Sequence, residues 1–102
     1  KQLTMNQTQT QTQIQNLKTL ILNNNTYLVS IVEEVYAELG EPNCKLINPY
    51  EILKEEITSN ISLKVWPDYT PQRAIMISSE HILTLVEPSE KIITKYLELT
   101  AE

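Results

Sequence analysis

The chain has 102 residues, 41% of them hydrophobic, and a formal net charge of −5, which fits one domain with one modest core. Arg73 is the only arginine and the lysines are scattered, so the basic patch that nucleic-acid binding requires is not expected. Cys44 is the only cysteine, which excludes an internal disulfide, and no apolar run approaches the ~18 residues of a membrane span. With no signal peptide visible, a cytoplasmic location is expected.

Residues 1–13 are dominated by alternating Gln and Thr from Gln7 through Gln13 and hold almost nothing apolar, so a flexible tail is expected, followed by a single domain over 14–102. From Ile14 to Leu39 apolar residues recur at intervals of three and four, which predicts one long amphipathic helix. Gly40 and Pro42 would stop it. Its weak point is Asn23-Asn24-Asn25-Thr26, where poor helix formers would break it into two. Within it, Leu17, Ile21, Asn24 and Leu28 approximate a heptad seam with one polar member, a pattern that sets register between paired helices. Asn48-Pro49-Tyr50-Glu51 reads as a helix start, with Asn48 as cap and Pro49 at the first position, predicting a short second helix to about Thr58.

The period then changes to two. Ile61, Leu63 and Val65 alternate with polar or bulky neighbours, predicting a strand that Pro67 ends. Residues 66–71 hold Trp66 and Tyr69 among Pro67 and Pro71 and read as a rigid connector. The runs at 73–78 and 82–86 are apolar and rich in β-branched residues, predicting two buried strands joined by a turn at Ser79-Glu80-His81. A helix over 79–86 is the rival reading. After Pro88, Ser89 caps a last helix with Ile92, Ile93, Tyr96, Leu97 and Leu99 on one stripe. The expected fold is therefore α+β: a long N-terminal helix, a second short helix, a three-stranded antiparallel meander and a C-terminal helix. Strands apolar on both faces need cover on both, which makes a second subunit a candidate partner.

No catalytic, cofactor or metal site is expected. His81 and Cys44 fall on predicted loops without metal-ligand spacing. The acids Glu33, Glu34, Glu38, Glu41, Glu51, Glu55 and Glu56 fall on the solvent faces of the predicted helices, and one glycine is too few for a phosphate-cradling loop. What remains is a small acidic, non-enzymatic accessory or regulatory protein that binds another protein, as a homodimer, without nucleic-acid or membrane partners. Candidate contacts are Trp66, Asp68 and Tyr69, whose restrained aromatic loop suits an interface, and the helical seam of Leu17, Ile21, Asn24 and Leu28. The alternatives are a structural component of a larger assembly, such as a viral or organelle particle, and a small enzyme using Cys44, His81 or a Glu pair.

Overall fold

A computed structural model describes residues 16–101; the Gln/Thr tail assigned to 1–13, and Ile14, lie outside the described residues. The predicted N-terminal helix is instead a β-hairpin. Strand β1 runs Leu17–Leu22 and β2 runs Tyr27–Glu34, paired antiparallel with Leu20 opposite Leu28. Both strands bury side chains on both faces: Leu17, Val29 and Ile31 on one, Leu20, Leu22 and Leu28 on the other. Two interleaved period-two patterns leave apolar residues three and four apart, which imitates a helical stripe. The Asn run is the turn. Asn25 takes a left-handed φ of 68°, Asn24 Oδ1 accepts from Thr26 N at 3.0 Å, and Leu22 N donates to Thr26 O at 2.9 Å. Gly40 ends no helix; at φ 89° it sits in a turn closed by Glu41 N donating to Glu38 O.

The predicted second helix is likewise a strand interior. Strand β3 runs Cys44–Lys54 and pairs with β2 from Cys44 to Glu51. Asn48 does not cap a helix but adopts φ 53°, and Pro49 beside it is fully buried. At this kink β3 changes neighbour on its other side. Cys44–Ile47 pairs with β5 (Ala74–Ile77), and Tyr50–Lys54 pairs with β4 (Ile61–Val65). The junction is sewn by Asn48 N donating to Arg73 O at 2.7 Å and Trp66 N donating to Pro49 O at 3.2 Å. A proline is tolerated there because the ladder is already interrupted where its N–H is missing. β4 and β5 are thus two halves of one edge strand, parted by residues 66–73.

The expected meander does not form, because none of these late strands pairs with the next. The sheet order is β4-β3-β2-β1-β6, with β5 also on β3, and β6 (Ile82–Val86) lies at the far end against β1. Only a 3-10 turn at Ser79–His81 and its flanking Ser78 separate β5 from β6. Four linking residues cannot cross a flat sheet, so the sheet curls until its ends approach. The closure is visible in Asn23 N donating to His81 O at 3.0 Å and in the Asn43–Ser79 bonds of 2.8 and 3.1 Å.

The curl makes two apolar clusters. Inside it, Leu20, Leu22, Leu28 and Leu46 pack with Trp66, Ile75, Ile77 and Ile82. Outside it, helix α1 (Glu90–Thr100) lays Ile92 and Tyr96 on Leu17, Val29 and Ile31. Ser89 Oγ caps α1 through Ile92 N at 3.3 Å. Tyr96 reaches the β3 kink, with its hydroxyl 2.9 Å from Asn48 O and its ring edge-on to Tyr50 at 5.7 Å.

Candidate interaction surfaces

The residues singled out from the sequence do not form one surface. Leu17 and Leu28 are wholly buried on β1 and β2, in different clusters, while Asn24 is exposed in the hairpin turn. Ile21 lies on β1 opposite Tyr27 and Thr84. The heptad seam therefore does not exist, since strand geometry sends alternate residues to opposite faces. The 66–73 segment is split in character. Trp66 packs into the inner cluster, whereas Tyr69 is 104% exposed with φ 72°, and Asp68 pairs with Lys64 Nζ at 3.3 Å. Of this loop Asp68, Tyr69, Pro71 and Gln72 face outward.

Cys44 is not on a loop. It lies on β3 at 6% exposure, and burial, reinforced by the negative charge of Glu34, raises its thiol pKa. A thiol held in its neutral form is a poor nucleophile. His81 occupies the 3-10 turn, exposed, as the sequence placed it, and no hydrogen bond joins it to Cys44. The acids sit on strands and turns rather than helix faces: Glu33 and Glu34 end β2, Glu38 and Glu41 share a turn, Glu51 lies within β3 between Leu28 and Lys64, and Glu55 and Glu56 follow β3. Among the described residues no group of three or more His, Cys, Asp or Glu could hold a metal ion, and no helix is long and apolar enough to cross a membrane.

The surface that the sequence missed is β6. Its five residues, Ile-Leu-Thr-Leu-Val, carry no charge and no proline, and it ends the sheet order. Leu83 is 63%, Leu85 46% and Val86 44% exposed. Among the described residues its outer edge is unpaired, leaving a row of backbone donors and acceptors beside apolar side chains. The other end of the sheet is guarded: the 66–73 excursion with its two prolines interrupts it, and Lys64 charges it. Behind β6, Lys18 on β1 pairs with Glu87, which anchors the end of the strand without covering its edge. The signal in the sequence was the nearly continuous apolar run at 82–86, read as burial on both faces. An edge strand with exposed apolar side chains gives the same run.

A model of a family of unknown function (DUF6561) matches residues 15–101. No curated protein matches the chain.

Proposed function

We propose that this chain, which belongs to the family of unknown function DUF6561, is a non-enzymatic accessory protein that works by binding protein through an open sheet edge, and that its first partner is a second copy of itself. The observation that carries this reading is β6: an uncharged, proline-free edge strand with Leu83, Leu85 and Val86 exposed. Edge strands of monomers are usually blunted by lysine, proline or a bulge. The β4/β5 end has lysine and two prolines beside it; β6 has neither, and its one irregularity is a bulge at Leu83, where Ile21 and Leu22 pair with Thr84 and Ile82. That asymmetry favours β6 meeting β6 across a twofold axis, an isologous contact and hence a homodimer. An antiparallel pairing centred on Thr84 sets Leu83 of one copy opposite Leu85 of the other, a cross-strand apolar pair on each side of the axis. A cytoplasmic setting belongs to the same reading and is supported by the free thiol of Cys44.

Hydrogen–deuterium exchange at two protein concentrations tests where the contact lies. Amides of 82–86 should exchange more slowly in the concentrated sample, and those of 61–65 and 74–77 should not change. Concentration-dependent protection at 61–65 or 74–77 would instead describe a head-to-tail assembly, the geometry of rings and filaments. That outcome would favour a structural component of a larger particle. No concentration dependence anywhere would remove the self-association reading.

A further inference from the structure

The hairpin turn, the start of the 66–73 excursion and the 3-10 turn meet around a second feature that self-association does not use. A cavity of about 270 Å³ opens there, lined by Leu22, Asn23, Asn24, Trp66, Ile77 and His81. We propose that it is a binding site for a neutral, planar heterocycle carrying a hydrogen-bond donor and an acceptor on neighbouring atoms, of the nucleobase or aromatic-amide type.

Three observations converge. Leu22 and Ile77 give the cavity an apolar floor, and the half-exposed Trp66 indole offers a ring on which a flat ligand stacks. The two rim amides have one end tied and the other open. Asn23 Nδ2 donates to Glu80 O at 2.8 Å, and its Oδ1 has no partner among the described residues. Asn24 Oδ1 accepts from Thr26 N at 3.0 Å, and its Nδ2 has no partner among the described residues. Each amide is fixed by the bond it already makes, so little is lost in ordering them for a ligand. The third observation is charge: among the described residues no carboxylate, lysine or arginine lines the cavity, and His81 is the one titratable side chain there. An ionised ligand would leave water for a wall with no permanent counter-charge, which sets the class as neutral. The volume is several times the ~30 Å³ share of one water molecule, room for one or two fused rings.

The test is a titration of the full chain with adenine, uracil and nicotinamide, followed through the Trp66 Nε1–H and the Asn23 and Asn24 side-chain amide signals in ¹H–¹⁵N spectra. At least one ring should give saturable shifts at all three positions, with a roughly millimolar Kd. Asn24→Asp keeps the oxygen that holds the turn and removes the donor, so it should weaken binding at least about fivefold with the rest of the spectrum intact. Adenosine should bind more tightly than its 5′-monophosphate. The proposal is overturned if no ring produces saturable shifts at about 10 mM, well above that Kd. Equal affinity of Asn24→Asp and wild type would overturn it too, as would tighter binding of the monophosphate.

Discussion

Tyr96 joins α1 to the β3 kink through one hydroxyl, which lies 2.9 Å from Asn48 O and 3.2 Å from Ile47 O. Both carbonyls sit where β3 breaks its ladder, so they take from a side chain the proton that a strand would otherwise supply. Burial, and next the Tyr50 phenol beside it, raise the Tyr96 pKa above the usual tyrosine value. Below about pH 10, native and unfolded chains both keep this proton; above it the unfolded chain loses the proton while the native one holds it. Stability should therefore be complete below about pH 10 and fall as pH rises towards the native value. Urea midpoints measured from pH 8 to 11 check this. Tyr96→Phe should cost about 1–2 kcal/mol at neutral pH and flatten the alkaline decline. Cys44 gives a second prediction at this scale. A hydroxyl in its place would be buried at the curl's closing end, so Cys44→Ser should destabilise by about 1–3 kcal/mol. Cys44→Ala should cost less, as read from the same denaturant curves, and in the wild type Cys44 should react slowly with thiol reagents until the chain unfolds.

Among the elements, the 66–73 excursion combines two roles that one pair of substitutions separates. Trp66 is half-buried in the inner cluster, so Trp66→Ala should cost about 2 kcal/mol, below the cost of emptying a fully buried aromatic site. Tyr69 has an unfavourable left-handed backbone and no packing to offset it. Tyr69→Gly should raise stability by about 0.5–1 kcal/mol, and a thermal melt of each variant reads both signs. The C-terminal helix was legible because Ser89, Pro88 and the Ile92–Tyr96 stripe all indicate the same start and face. The strands at 61–65 and 82–86 were legible from alternation and β-branching. Residues 14–39 and 48–58 misled for a shared reason. Asn and Pro at a hairpin turn or a strand kink resemble helix caps, and β1 and β2 in addition bury both faces, which erases the period of two. The Asn23–Thr26 run, the weak point of the helical reading, was the true signal of the turn.

For the whole molecule, topology decides which surface is open. A linker of four residues between β5 and β6 forces the sheet to curl, and the curl leaves β6 as an end strand. Pairing between distant strands is written in no local pattern, which is why the hairpin expected between 73–78 and 82–86 and the seam expected at Leu17, Ile21, Asn24 and Leu28 both failed. The apolar excess that suggested a second subunit was placed by the sequence on the strands at 73–78 and 82–86, and the fold leaves Leu83, Leu85 and Val86 of the second exposed. The dimer proposed through β6 makes a direct prediction for mass. Multi-angle light scattering at micromolar concentration should give twice the 11.8 kDa of one chain. Leu83→Lys, at a site already 63% exposed, should return the mass to one chain while shifting unfolding stability by no more than about 0.5 kcal/mol. A wild-type protein that stays at 11.8 kDa, or a Leu83→Lys protein that stays a dimer, would contradict self-association through this edge.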